Sequence, residues 1–156
     1  MGRSQELEGL NTLPELFDAS SAKYAGSEAL REFDRAGNRW VSHTYAEVAE
    51  RVLAWRRAYA ALGLKRGERV AMLLPNGTDH VYADLAALAN GLIPVPLHAI
   101  DTAGSSAYIL KDSNARFLVT TARARWNAIR AAAPALERPG ARRLHERSGG
   151  RTRRPG

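Results

Sequence analysis

Val70 to Leu74, the pentapeptide VAMLL, is apolar at every position and is bounded by Gly67 and Pro75. It is too short for a typical helix, and it fits a strand covered on both faces, the usual state of a parallel strand. Such a strand needs helices above and below it. The chain downstream supplies them. Thr78 and Asp79 are placed to cap a helix whose Val81, Leu85 and Leu88 line one side, and Asn90-Gly91 closes it. A second apolar segment, Ile93 to Leu97, follows at once; Pro94 and Pro96 cannot donate to a ladder, which makes it either an edge strand or an irregular extended segment. The pattern then repeats, with a loop at His98 to Ser105 and a helix over Ser106 to Asp112. A third strand, Phe117 to Thr120, follows the Ser113-Asn114 break, and a last helix bearing Trp126 and Ile129 runs to Ala133. Alternating strands and helices define an α/β layer with parallel strands and right-handed crossovers.

Upstream, two helix starts are written alike. Thr12-Leu13-Pro14-Glu15 and Thr44-Tyr45-Ala46-Glu47 both fit the capping box, in which the Thr hydroxyl accepts an orphan N–H and the Glu reaches back. The first helix is expected to end near Tyr24. Ala29 to Phe33 and Arg39 to His43 read as a short hairpin around Asp34-Arg35-Ala36-Gly37-Asn38, with Gly and Asn available for left-handed conformations. In the second helix Val48, Val52, Trp55, Tyr59 and Leu62 fall on one stripe, and Gly63 stands where a C-terminal cap belongs.

At 156 residues and 45% hydrophobic content the chain is long enough for one globular domain. It has no cysteine, which excludes disulfides, thiolate metal sites and a cysteine nucleophile. The start, MGRSQELEGL, lacks the basic-then-apolar order of a secretory signal, and no apolar run approaches the roughly 20 residues of a membrane helix. The expectation is a cytoplasmic chain, at most peripheral to a membrane. The net charge of +7 is unevenly placed: 16 Lys plus Arg stand against 14 Asp plus Glu up to Pro134, and seven against two from Ala135 onward. An excess that lies mostly in an end segment without apolar periodicity argues for a solvated tail over a nucleic-acid-binding face.

Read in order, TLPELF, SHTYAEVAERV, ALGLKRGERVAMLLPNG and ADLAALANGLIPVPLHAIDTAGSSAYILKDSNARFLVT resemble the N-terminal part of the acyl-adenylate-forming, AMP-binding ligases. Among these the bacterial long-chain fatty-acid–CoA ligases look most similar. The resemblance spans Thr12 to Pro134 and rests on several blocks in the right order rather than on one motif. It implies a partial N-terminal ligase domain over residues 12–134, preceded by an extension at 1–11 and followed by an Arg/Gly-rich tail at 135–156, expected to be disordered. It implies a parent chemistry in which a fatty acid and ATP, with magnesium, give an acyl-adenylate that passes to coenzyme A.

The family's SGTTGxPKG phosphate loop, its Tyr-Gly-x-Thr-Glu segment, its ribose-binding Asp and its mobile catalytic Lys have no counterpart in this sequence. The expectation is therefore a chain that binds none of these cofactors and is inactive alone. Arg138-Pro139-Gly140 opens Arg-rich text of the kind a high-GC gene yields in a wrong frame. Ser148 to Gly156 superficially resembles a phosphate loop, but it lacks the Thr pair, the Pro-Lys-Gly order and a preceding strand.

No residue is nominated as catalytic, cofactor-binding or metal-binding. His43, His80, His98 and His145 are far apart and lack metal-ligand spacing. Asp79, Asp84, Asp101 and Asp112 read as caps and solvated faces, and the Trp55 and Tyr59 stripe as core. His98, and Pro75-Asn76-Gly77 at the end of a parallel-type strand, stand where α/β sheets bind ligands, although a tight turn explains the latter more simply. An open sheet edge would let the chain act instead as a non-catalytic interaction module.

Overall fold

A computed structural model describes residues 9–133. The extension at residues 1–8, the tail from residue 134, His145 and the loop-like Ser148–Gly156 lie outside the described residues. Ten elements follow in order: α1 (Leu13–Lys23), β1 (Glu28–Asp34), β2 (Arg39–Thr44), α2 (Tyr45–Ala61), β3 (Arg69–Leu73), α3 (Thr78–Ala89), β4 (Ile93–Pro96), α4 (Ala103–Asp112), β5 (Phe117–Thr120) and α5 (Arg123–Ala132). Strands β1 and β2 form an antiparallel hairpin, while β4, β3 and β5 form a parallel sheet in that order. The α/β class expected from the sequence is the one observed.

The central strand β3 is buried on both faces because its alternate side chains enter two different cores. Val70, Met72 and Leu74 pack with Val48, Val52 and Tyr59 of α2 and with Tyr82, Ala83, Ala86 and Ala87 of α3. Ala71 and Leu73 point the other way, onto Leu97 just after β4, Ala107 and Leu110 of α4, and Ile129 of α5. The sheet is thus sandwiched between α2 and α3 on one side and α4 and α5 on the other. This is the arrangement that fully apolar parallel strands require.

The edge position of β4 has a specific cause. The N–H groups of Ile93 and Leu97 donate inward, to the carbonyls of Glu68 at 2.9 Å and Met72 at 2.9 Å. Backbone groups alternate sides along a strand, so Pro94 and Pro96 occupy the positions whose N–H groups would face outward. The outer edge of β4 therefore offers no donor at either residue. Among the described residues no strand pairs with the outer edge of β5.

Both capping boxes form. Thr12 and Thr44 each accept from the backbone N–H three residues on, at 3.3 Å, and Glu15 and Glu47 accept from the cap N–H groups at 3.0 and 2.7 Å. These backbone contacts hold both carboxyls below their usual range: the leading cause is the Asn11 N–H for Glu15 and the Thr44 N–H for Glu47. Gly63, just beyond the α2 cap at Leu62, takes φ of +71°, as its placement predicts.

Four details depart from the sequence reading. Helix α4 begins at Ala103, three residues earlier than expected, because Thr102 caps it through the Ser105 N–H at 3.1 Å. The buried face of α3 is Tyr82, Ala83, Ala86 and Ala87, whereas Val81 is 36% exposed. Small side chains let α2 and α3 approach closely, and a reading weighted toward large apolar residues follows the wrong stripe. In the hairpin turn Asn38 alone is left-handed, with φ of 48°. Finally, Thr78 and Asp79 do not cap α3; Gly77 holds the cap position and no cap side chain bonds the helix.

Candidate functional site

The crossover from β3 to β4 runs over one face of the sheet through α3, and that from β4 to β5 runs over the other through α4. The carboxyl ends of β3 and β5 therefore flank the point where the connections part, the usual ligand edge of an α/β sheet. Three segments meet along this edge: Pro75-Asn76-Gly77 after β3, His98 to Asp101 after β4, and Thr121-Ala122 after β5. Pro75, Asn76 and His98 are exposed.

Each segment is held by contacts of its own. The His98 N–H donates to the Asp101 carboxylate at 3.1 Å, closing that loop on itself. Arg125 of α5 donates to the carbonyl of Ala99 at 3.1 Å and to that of Asp101, which pins the loop against the last helix. After β5 the Ala122 N–H donates to the Thr120 hydroxyl at 3.2 Å. At the start of α3 the Thr78 hydroxyl donates to the Glu32 carboxylate of β1 at 2.8 Å, and the Thr78 N–H to its other oxygen at 3.4 Å. Glu32 thus stands in as the cap that Gly77 cannot supply. An ideal Cβ on Gly77 would lie 2.5 Å from a Glu32 carboxylate oxygen, so a side chain there would displace that carboxylate. Its φ of 167° is ordinary extended backbone, not a left-handed turn.

A cleft of about 220 Å³ lies between hairpin and helix, lined by Leu30, Arg31, Glu32, Gly77, Thr78 and Val81. A larger one of about 320 Å³, lined by residues 61–65 with Glu68, Arg116 and Phe117, opens at the opposite, amino edge of the sheet. That edge is consolidated by Arg69, which donates to the carbonyls of Ser113 at 2.7 Å, Asn114 at 3.1 Å and Gly67 at 3.2 Å. The first two of these bonds satisfy carbonyls at the end of α4, which is a structural task.

The residues weighed in the sequence are not brought together. His43 lies on β2, His80 on α3 and His98 beyond β4, and no cluster of three potential metal ligands exists among the described residues. Tyr59 is fully buried beside Trp55, ring centroids 5.7 Å apart, and its hydroxyl donates to the Ala83 carbonyl at 3.3 Å. Burial, with Asp84 second, pushes the Tyr59 hydroxyl well above its ordinary pKa. Sequence reasoning missed Glu32, Arg69 and Arg125. Only Glu32 left a signal, an acid two residues beyond Leu30 and so on the same face of its strand.

The fold is that of the N-terminal part of adenylate-forming enzymes. It superimposes on the crystal structure of VinN with a TM-score of 0.72 at 20% identity, covering 80% of this chain and 30% of that one. A benzoate CoA ligase from Burkholderia xenovorans LB400 matches with a TM-score of 0.68 at 26% identity, over 85% of this chain and 25% of the ligase. The family profile described as AMP-binding enzyme matches residues 17–152, and the chain belongs to that family. Among curated relatives, the long-chain-fatty-acid–CoA ligase ACSBG2 of Rattus norvegicus is 29% identical over 108 residues, 69% of this chain and 16% of the ligase. A crotonobetaine/carnitine–CoA ligase of Salmonella typhimurium is 27% identical over 117 residues, 75% of this chain and 22% of that enzyme. The chain therefore spans less than a quarter of the length of either relative. No helix among the described residues is long and apolar enough to cross a membrane.

Proposed function

We propose that this chain is the first α/β layer of a fatty-acid–CoA ligase, a scaffold segment that does not form acyl-adenylate on its own. The relatives named as CoA ligases support the substrate class, with the fatty acid suggested by the rat enzyme. The parent reaction joins a fatty acid to AMP with release of pyrophosphate and then passes the acyl group to coenzyme A. It demands amides and cations around a triphosphate to stabilise charge at phosphorus. The observation that carries the reading is the edge itself: its three segments are spent on turns and helix caps, with Asp101 and Glu32 already engaged by backbone and hydroxyl donors. On this reading residues 12–134 are the domain segment, and ATP, magnesium and coenzyme A are bound by parts of the enzyme beyond it.

The test is pyrophosphate exchange with palmitate, run on the purified chain and on a chimera. The chimera carries residues 12–133 in place of the matching segment of a related fatty-acid–CoA ligase. No exchange from the chain and restored exchange from the chimera are expected. Exchange by the chain alone would overturn the scaffold reading, and a folded but inactive chimera would overturn the ligase assignment.

The second reading, an interaction module, is favoured by the outer edge of β5, with which no strand pairs among the described residues. Sedimentation of the purified chain separates the two, since strand addition at that edge would give a concentration-dependent dimer or a complex.

A further inference from the structure

We propose that the β1–β2 hairpin is a strap latched by Glu32, which caps α3 from outside, so that the strap and the first turn of α3 open as one unit. The strap is only partly buried, its Ala29 and Leu30 packing against the α2–α3 core. No residue of β1 or β2 is fully buried, and its outer face carries the exposed Phe33 and Trp40 ring pair, centroids 5.3 Å apart. Its base is hinged by two backbone bonds, from the Tyr45 N–H to Ser27 and from the Ala46 N–H to Ala25, each 3.0 Å. Beside Leu30 and Glu32 at its middle lies the 220 Å³ cleft.

Across that cleft Glu32 takes both Thr78 donors. Helix α3 has no side-chain cap of its own, so its first turn depends on a group borrowed from the strap. The dependence runs both ways: freeing the strap uncaps α3, and fraying α3 frees the strap. The junction sits at the carboxyl end of the central strand, so its opening reshapes the edge along which this fold places ligands.

Hydrogen exchange read by mass spectrometry on the intact chain tests this. In Glu32→Ala, amides of residues 28–44 and 77–81 should exchange about tenfold faster together, the loss expected for a hydrogen bond to a charged group, while those of 69–73 keep their rates. Glu32→Gln, which retains an acceptor for the Thr78 hydroxyl, should fall between. Gly77→Ala should mimic Glu32→Ala, because the new methyl takes the carboxylate's place, yet add nothing in the Glu32→Ala background. Acceleration of the strap without the first turn of α3, acceleration of residues 69–73 by the same factor, or additive effects of the two substitutions would each overturn the proposal. Should Glu32→Ala fail to fold, Thr78→Ala, which removes the hydroxyl and keeps the backbone donor, should accelerate the same two segments together by a smaller factor and is open to the same refutation.

Discussion

Two substitutions in α3 test which of its faces is buried. Val81 belongs to the stripe of large apolar residues, while Ala83 is fully buried under α2, its carbonyl accepting from the Tyr59 hydroxyl. Val81→Ala removes two carbons that are 36% exposed. At about 0.8 kcal/mol per fully buried methylene the loss is about 1 kcal/mol, and the better helix propensity of Ala returns about half of it. Ala83→Leu inserts three carbons where no space remains, and overpacking of that kind costs typically about 1–3 kcal/mol. Urea unfolding followed by far-UV circular dichroism reads the difference. With a slope of about 2 kcal/mol per molar, Ala83→Leu should lower the midpoint by about 1 M and Val81→Ala by about a quarter of that. A larger fall for Val81→Ala than for Ala83→Leu would refute the assignment of the alanine face and, with it, the close approach of α2 to α3.

Tyr59→Phe removes a buried hydroxyl whose pKa is raised, so its folded state holds the proton longer than its unfolded state. Wild-type stability is therefore complete below pH 10 and falls above it, and the alkaline fall in melting temperature should be shallower in Tyr59→Phe. Glu15 and Glu47 titrate in the opposite sense: their lowered pKa values contribute stability above the unfolded value of about 4.3, lost as pH falls through the folded one. Glu15→Gln with Glu47→Gln removes both titrating groups and should flatten that acid limb in a melting series from pH 6 to pH 2. Replacing Pro94 and Pro96 together by Val gives β4 two outward N–H donors, so edges β4 and β5 of successive molecules can pair head to tail. Light scattering at constant concentration should then rise with time in the variant and stay flat in the parent chain.

The parallel sheet was legible because β3 is an unbroken apolar run between a glycine and a proline, and both capping boxes because their hydroxyl and carboxylate stand at fixed spacing. The prolines of β4 marked an edge, and the ladder explains why two of them, alternating with the inward donors of Ile93 and Leu97, suffice. What escaped was decided across the fold. The buried face of α3 depends on how near α2 lies, which favours alanine over valine. The cap of α3 comes from Glu32, 46 residues away in sequence, and no local pattern around Gly77 announces it. The candidate edge was legible as a place, after β3 and β4, but the arrangement that occupies it came from Arg125 and Glu32, whose roles exist only once β1 and α5 have packed.

The division of β3 between two clusters bears on the order in which a ribosome would deliver this protein. Eleven of the twelve buried members of the α2–α3 cluster, Val48 through Leu92, are synthesised before β4 begins, and only Val119 comes later. The other cluster waits for Leu97, Ala107, Leu110 and Ile129. A nascent chain that has just released Leu92 therefore holds most of one core while Ala71 and Leu73 still face water. That half-covered strand is the species a holdase chaperone would meet, and its lifetime is set by the time needed to translate the next 37 residues, about 2–7 s at typical rates.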